Sequence, residues 1–306
     1  MKTLSFLKRT GTLLRETYNE FKSDHAIKLS AALSCYTIFS IPPLLIIIIS
    51  VSGIFLGDET AKVEIFRQIN EIVGGEPALQ IQQTIKNVKL SGSNAIVTAT
   101  GIIILLVGAS AVFSEIQGSI NYIWKIKVKP KRGLLKFIKN SLMTFSMIGL
   151  ASLLLVIGLL VNSFMDIPEK SLMVNFLWHT INLFYILKIL INYVFITILT
   201  TIIFKTLPDG KVALRDCIIG ASFTAIFFMI GKLAIGSYLG SSAFASFYGA
   251  TGSVIFILAW VYYSSIVLFF GAEFTKVYAH TYGEKIVPNE NTVRIIKHKR
   301  KTTANG

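Results

Sequence analysis

Two lysines that interrupt long apolar runs, Lys188 and Lys232, are the residues of this chain best suited to binding chemistry. A lysine at the centre of a transmembrane helix costs about 2.5–3.5 kcal/mol on insertion scales, and ionisable residues in such helices are usually functional. No Asp or Glu lies within the core of the apolar runs to neutralise them. When both lysines face inward, they form a cationic cavity suited to a phosphate or a carboxylate. The alternative is that both extend to the outer interface, because they lie nearer the outer ends of their runs.

The first apolar run is interrupted at its centre by Pro42 and Pro43. Paired prolines remove two backbone donors and disfavour helical geometry before them, so the helix is expected to break there. In lipid such a break needs protein neighbours or a water-filled cavity. The polar residues predicted to line a substrate path with these prolines and the two lysines are Tyr36, Thr37, Ser40 and Asn192. The alternative role of such polar residues is hydrogen bonding between helices, worth about 0.6 kcal/mol each.

The composition is that of a membrane protein. The chain has 306 residues, of which 53% are hydrophobic and 15% charged, and its mean hydropathy is +0.65. Soluble domains carry about 25% charged residues, so an all-α polytopic membrane protein fits best. Six runs are long enough to cross the roughly 30 Å hydrocarbon core as helices. They are residues 29–56, 93–113, 141–163, 181–204, 214–238 and 250–272.

The positive charges sort by side of the membrane. With the N-terminus in the cytoplasm, 23 of the 30 Lys and Arg residues fall in four inner segments, five in outer segments and two inside spans. This bias predicts that both termini lie in the cytoplasm. It also explains the net charge of +14 by attraction to anionic lipid headgroups, so membrane lipids are expected partners and nucleic acid is not.

Three parts are expected along the chain. Residues 1–28 form a cytoplasmic amphipathic arm, residues 29–273 a single six-helix membrane domain, and residues 274–306 a basic cytoplasmic tail whose end is disordered. Short amphipathic helices are also expected in the first outer segment, on either side of Gly74-Gly75.

The arm carries an apolar stripe at helical spacing, formed by Leu7, Leu14, Tyr18 and Phe21. Such a stripe predicts a helix that buries one face. Two positions fit it equally: under the inner leaflet, or packed on the loop at 114–140.

Motifs of hydrolytic, nucleotide-binding or zinc chemistry are missing from the sequence. The four histidines are scattered over both predicted sides, so they predict no metal site. We therefore expect neither enzymatic activity nor a cofactor. Glu273 ends the last apolar run, where a salt bridge with the basic inner face is expected and proton coupling is the alternative.

Four blocks of the sequence are distinctive. They read AALSCYTIFSIPP (31–43), GASAVFSEIQGSINYIW (108–124), LPDGKVALRDCIIGASFTAIFFMIGK (207–232) and YGATGSVIFILAWVYYSSIVLFFGAEFTKVYA (248–279). In this order they resemble the YihY/BrkB family of bacterial membrane proteins. Where that family often has a second tyrosine before Tyr36, this chain has Cys35. The resemblance implies six helices in the cytoplasmic membrane; its members are labelled serum-resistance factors, candidate transporters or ribonuclease BN, and no catalytic residue carries over.

These features together predict a multi-pass protein of the bacterial inner membrane that transports or handles an anionic substrate, such as an anionic lipid or a small anion. The alternative is a structural or scaffold protein of the envelope, whose basic inner face recruits partners or anionic lipid. A tRNA-processing ribonuclease is disfavoured, because the sequence holds no metal or acid–base constellation.

Overall fold

The computed structural model describes residues 2–40, 111–128, 178–239, 252–289 and 292–294, together with ten positions between 57 and 82. The long segments are mainly helical. The helices are α1 (Lys2–Ser23), α2 (Ala26–Ser40), α3 (111–123), α4 (Trp178–Thr206), α5 (Leu214–Leu239) and α6 (Gly252–Thr281). Nine of the ten positions between 57 and 82 are also helical, as expected for the first outer segment.

Three helices of the described part are long and apolar enough to cross a bilayer. Their apolar stretches are Ile189–Thr206, Leu214–Lys232 and Ile257–Thr281, which overlap the last three predicted spans. α6 continues nine residues past the predicted inner end at 272. The first predicted span is described only as far as Ser40 and the second only from residue 111, and the third lies outside the described residues.

α5 and α6 pack closely because each places a glycine against a threonine of the other. A Cβ built on Gly220 of α5 would lie 1.8 Å from Thr275 Oγ1, and one on Gly271 of α6 would lie 1.8 Å from Thr224 Oγ1. Each threonine hydroxyl donates to a carbonyl of its own helix, at 2.7 Å in both cases. Each threonine thus satisfies its hydroxyl within its own helix. Its side chain packs into the space left by the glycine of the facing helix. Small residues of this kind let transmembrane helices approach closely.

α4 packs against α5 and forms the edge of the described bundle. Only 11% of its apolar stretch is buried, against 39% for α5 and α6. Its exposed apolar side chains are Ile186, Leu187, Ile189, Leu190, Val194 and Ile198. In a bilayer such a surface faces acyl chains, so it needs no protein partner.

α1 packs on α6, which is neither of the two positions considered for the predicted N-terminal arm. Leu13, Thr17 and Phe21 are buried, and the Phe21 ring meets that of Phe270 edge-on at 5.4 Å. The predicted stripe was partly wrong, because Tyr18 is 60% exposed. The buried face follows an i, i+4, i+8 row that includes a threonine, whose hydroxyl donates to Leu13 O at 2.8 Å. The hydrophobic pattern of the sequence, taken alone, predicted that the neighbouring row of residues is buried.

Two short antiparallel ribbons close one end of the bundle. β1 (Ile126–Val128) pairs with β4 (Thr292–Arg294), and β2 (Gly210–Lys211) pairs with β3 (Val287–Pro288). They draw together the turn after α3, the connection between α4 and α5, and the segment that follows α6. We call this end, which also includes the C-terminal half of α1, the polar end. Part of the predicted tail is therefore strand.

Candidate functional site

Lys276 is the centre of a buried group of charges at the polar end. Its Nζ donates to Glu20 Oε2 at 3.0 Å, to Asp24 Oδ2 at 3.2 Å and to the Ile123 carbonyl at 3.0 Å. The last of these bonds satisfies a carbonyl at the C-terminus of α3, where a helix has no partner of its own and a cation is favourable. One ammonium thus ties α1 and α3 to α6.

Two further residues complete this group, which we call the Lys276 cluster: Lys276, Glu20, Asp24, Glu273 and Lys125. Lys125 Nζ forms a short hydrogen bond with Asp24 Oδ1, so both carboxylate oxygens of Asp24 are engaged. Glu273 Oε2 lies 2.5 Å from Lys276 Nζ. The salt bridge expected for Glu273 is thereby confirmed. The Asp24 and Glu273 side chains are fully buried, and that of Lys276 is 7% exposed.

The backbone is unusual on both sides of the cluster. Lys125 has φ of 58° and His25 has φ of 51°, a left-handed conformation that non-glycine residues rarely adopt. Each residue lies two positions after a helix end, in a region where glycine is the usual choice for a left-handed conformation. At Lys125 a glycine would lose the side chain that reaches Asp24, so the ion pair accounts for the lysine.

Three carboxylates of this cluster come close enough together to resemble a metal site. One oxygen from each of Glu20, Asp24 and Glu273 lies within 4.8 Å of the others. However, Lys276 Nζ lies 2.5–3.2 Å from all three carboxylates, which is the position that a metal ion would take. The ammonium is therefore the cation of this site, and the geometry fits no metal.

Asp24 is held in its charged form by its two lysine partners. Burial raises the pKa of Asp24, but the hydrogen bond from Lys125 and the charges of Lys276 and Lys125 outweigh burial, so the net pKa lies below its ordinary value. The stability that this carboxylate contributes is therefore present above the unfolded pKa of about 3.9 and is lost as pH falls through the lower folded value.

We expect acidification below about pH 4 to weaken the attachment of α1, because protonating Asp24 leaves Lys125 and Lys276 without their shared partner. The thermal midpoint of the purified protein, followed from neutral to acid pH, should fall more steeply for the wild type than for Asp24→Asn. Glu16→Gln, on the exposed face of α1, is the matched control and should behave like the wild type. Equal acid slopes for wild type and Asp24→Asn would contradict the prediction.

A second polar contact fixes the connection between α4 and α5. Asn121 Nδ2 donates to Asp209 Oδ2 at 2.8 Å, and Asn121 Oδ1 accepts from the Asp209 backbone N–H at 2.8 Å. Gln117 adds a bond of 3.2 Å to the same carboxylate oxygen. Trp124 donates from Nε1 to the Ala272 carbonyl at 3.0 Å. The end of α3 is therefore locked to both α6 and the LPDG turn.

The residues predicted to bind substrate occupy varied positions in the structure. Tyr36 is 50% exposed, Ser40 is buried, and Thr37 donates to Leu33 O at 2.7 Å within its own helix. Asn192 is half-buried on α4. Within the described part of the chain, no hydrogen bond or ion pair joins these three residues of α2 to Lys232. Pro42, Pro43 and the side chain of Lys188 lie outside the described residues.

Lys232 and the Lys188 position lie at similar depths on neighbouring helices. Lys232 is exposed and has no carboxylate partner among the described residues. α4 and α5 are antiparallel, and a short hydrogen bond between Tyr193 and Ser222 sets their register. In this register the two lysine positions are offset by about five residues, or about 7 Å along the bundle axis.

The buried cluster is the functional feature that sequence reasoning found only in part. Glu273 was singled out by its place at the end of an apolar run, and its salt bridge was expected. Asp24 and Lys276 looked like ordinary members of polar segments. The two lysine partners of Asp24 lie more than 100 residues away from it, so no local pattern signals these contacts.

The long apolar helices and the polar end define an α-helical membrane protein whose termini-proximal segments meet at one face. The family model described as Virulence factor BrkB matches residues 17–296. The chain belongs to this family, as the resemblance of the four sequence blocks predicted.

Curated relatives agree with this assignment. A UPF0761 membrane protein of Saccharophagus degradans is 24% identical over 284 residues, which cover 90% of this chain and 63% of the relative. UPF0761 membrane proteins of Pseudomonas paraeruginosa and Azotobacter vinelandii are each 26% identical, over 83% and 85% of this chain and 59% and 61% of the relatives. The chain thus spans about three fifths of the length of these relatives. No solved structure matches it.

Proposed function

We propose that this chain is a transporter or lipid-handling protein of the bacterial cytoplasmic membrane that acts on an anionic substrate without enzymatic chemistry. In this proposal six helices cross the membrane, both termini are cytoplasmic, and the polar end faces the cytoplasm. The substrate is an anionic lipid or a small anion rather than nucleic acid.

The observation that carries the proposal is Lys232. It lies in an apolar helix long enough to span a bilayer, and it has no carboxylate partner among the described residues. A lysine at such a position raises the free energy of membrane insertion, and it commonly marks a substrate or ion pathway. The Lys188 position, about 7 Å away along the axis on the neighbouring helix, places a second lysine at a similar depth.

The orientation is supported by the polar end. Charge counting assigned the N-terminal arm, the loop at 114–140, the 205–215 connection and the tail to the cytoplasm. Residues from all four segments meet there through ion pairs, hydrogen bonds and strand pairing. These contacts support a topology in which all four segments lie on one side of the membrane and an even number of crossings separates each from the next.

A scaffold role is the second candidate, and the surface of the same polar end favours it. Exposed basic side chains there include Arg15, Lys22, Lys28, Lys127, Lys211 and Lys285. Such a surface attracts anionic headgroups at about 1 kcal/mol per charge. It would suit recruitment to the inner leaflet without any passage through the bundle.

Replacing Lys188 and Lys232 together by Leu is expected to abolish movement of the substrate while the protein still inserts and folds. The assay uses the full chain in phosphatidylcholine vesicles that contain fluorescent phosphatidylglycerol, and it follows the loss of inner-leaflet label to a membrane-impermeant quencher. Uptake of inorganic phosphate into the same vesicles distinguishes a small anion from a lipid. Lys188→Arg with Lys232→Arg keeps both charges and should retain at least part of the activity.

The control for this experiment is Lys211→Leu with Lys285→Leu, which removes two exposed charges at the polar end. If the protein keeps its activity when Lys188 and Lys232 are replaced by Leu, but loses it when Lys211 and Lys285 are replaced, the scaffold role is correct. Metal-dependent RNA cleavage by the clean protein would overturn the non-enzymatic part of the proposal.

A further inference from the structure

Lys232 lies on the side of α5 that is buried elsewhere along the helix. Successive residues of an α-helix are rotated by about 100°, so Ala221 and Ala225 point within about 20° of the direction of Lys232. Both alanines are completely buried. Cys217, one turn before Ala221, lies on the same side and is also completely buried. The lysine therefore continues a row of residues that faces the interior of the bundle.

The face of α5 that meets lipid points in another direction. Near Lys232, its exposed apolar side chains are Ile230, at 57%, and Ile226, at 47%. Ile230 is rotated by about 160° from Lys232, and Ile226 by about 120°. Lys232 is nevertheless exposed, so its exposure does not come from the lipid-facing side. An ammonium exposed on an interior face is solvated by water or bound to an anion, because an unsolvated charge within a bilayer is costly.

The contact between α5 and α6 is closed beside the lysine. A Cβ built on Gly231 would lie 1.9 Å from Cζ of Tyr263, because the tyrosine ring fills this space. The Tyr263 hydroxyl donates to the Phe227 carbonyl of α5 at 2.8 Å. The two helices therefore leave no space for a ligand between them at this level, and a ligand reaches Lys232 from the interior side of α5.

The position of Lys232 along α5 indicates the side of the membrane from which it is reached. Lys232 lies about 27 Å along the axis from Leu214, where α5 begins at the polar end. The hydrocarbon core is about 30 Å thick, so the lysine lies near the surface opposite the polar end. Phe228 lies one turn nearer the polar end, and its ring meets that of Trp260 edge-on at 6.0 Å. A ligand at the ammonium thus has apolar rings on the side of the polar end.

We propose that Lys232 is the binding residue of a recess that opens to the outer side of the membrane and takes a water-soluble organic anion. The inference rests on the proposed function and narrows its substrate class. One ammonium matches one negative charge, and the rings of Phe228 and Trp260 match an apolar body, so the ligand is a small monocarboxylate rather than inorganic phosphate. A two-chain phospholipid is disfavoured, because Lys232 lies on the side of α5 away from the exposed isoleucines.

Access is tested by labelling single cysteines of the full chain in intact cells with a membrane-impermeant thiol reagent. In a background of Cys35→Ser and Cys217→Ala, we expect Lys232→Cys to react from outside. Ile230→Cys, two residues away on the lipid-facing side, should not react. Lys285→Cys, at an exposed position of the polar end, should react only after the cells are permeabilised. A Lys232→Cys that reacts no faster than Ile230→Cys, or only in permeabilised cells, would overturn the proposed recess.

The ligand class is tested through the fluorescence of Trp260 in phosphatidylcholine vesicles, with Trp260→Phe to identify its share of the signal. Iodide should quench Trp260 several-fold more strongly in the wild type than in Lys232→Leu, because the ammonium concentrates anions beside the ring. Acrylamide, a neutral quencher, should act equally on both proteins, and Lys232→Arg should behave like the wild type. Butyrate should protect Trp260 from iodide in the wild type, whereas inorganic phosphate and added phosphatidylglycerol should not.

Equal iodide quenching in the wild type and Lys232→Leu would overturn the site, and protection by phosphate or phosphatidylglycerol but not by butyrate would overturn the ligand class. The two measurements also separate this inference from the transport proposal. If Lys232→Cys is labelled from outside and butyrate protects Trp260, yet vesicles move no anion, the binding site is correct and transport is wrong. If transport occurs while Lys232→Cys resists labelling, the recess is wrong and the proposed function is retained.

Discussion

Lys276→Met is expected to lower the free energy of unfolding by about 3–5 kcal/mol, because it removes one partner of a buried ion network. Methionine fills much of the same volume, so the loss comes from charge and hydrogen bonding rather than from a cavity. Asp24 loses its bond from Lys276, Glu20 loses its donor, and the Ile123 carbonyl at the end of α3 loses its cap. Denaturation in mixed micelles, followed by circular dichroism, measures the change.

Two variants show whether the loss arises from this network. Lys285→Met removes an exposed lysine from the same end and should change stability by no more than about 1 kcal/mol, as for surface charges generally. Lys276→Met combined with Asp24→Asn should recover part of the loss, because the second change removes one stranded buried carboxylate. Two results would show that the network does not stabilise the packing of α1 on α6. One is a loss of about 3–5 kcal/mol of unfolding free energy in Lys285→Met, and the other is a loss below about 1 kcal/mol in Lys276→Met.

Gly220→Ala and Gly271→Ala are each expected to destabilise the protein by about 1–3 kcal/mol, because a Cβ at either position overlaps a threonine of the facing helix. At Gly220 the new Cβ would lie 2.9 Å from Thr275 Cβ and 3.3 Å from its Cα, so a rotamer change alone cannot relieve the overlap. α5 and α6 must then separate or shift, which also disturbs the cluster around Lys276. The same micelle denaturation reads out this effect.

A glycine of α1 supplies a matched control. Gly11 of α1 has nothing within 4 Å of a built Cβ, and alanine is favoured over glycine in helices by about 1 kcal/mol. Gly11→Ala should therefore stabilise the protein or leave it unchanged. Gly220→Ala combined with Thr275→Gly removes the clash and should recover stability relative to Gly220→Ala. If Gly220→Ala left the free energy of unfolding unchanged, α5 and α6 would not be in close contact at Gly220.

Much of the fold could be predicted because membrane helices must satisfy their backbone internally and match the thickness of the bilayer. Long charge-free runs therefore located α4, α5 and α6, and four blocks of sequence identified the family. The close approach of α5 and α6 at Gly220 shows how a small residue brings two such helices together. The row buried on α1 was missed, because Thr17 satisfies its own hydroxyl and packs as if it were apolar.

The candidate site was less predictable for a physical reason. Lys188 and Lys232 are visible in the sequence because each charge stands alone in an apolar run, and their role as a substrate site stays a prediction. Lys125, Asp24 and Lys276 lie in segments where charges are common, so nothing distinguishes them from solvated residues. The cluster residues differ from solvated residues in their burial and in their ion-pair partners. Both properties depend on the packing of segments that are distant in the sequence.

By itself, the sequence determined that this is a helical membrane protein of the BrkB family, since hydropathy and charge bias act segment by segment. Tertiary structure alone decided that the N-terminal arm packs on α6 and that two lysines and three carboxylates share one buried cluster. Helix formation in a bilayer follows from local composition. The balance of a buried charge depends on which donors reach it, and for Asp24 two of those donors, Lys125 and Lys276, lie on segments far away in the sequence.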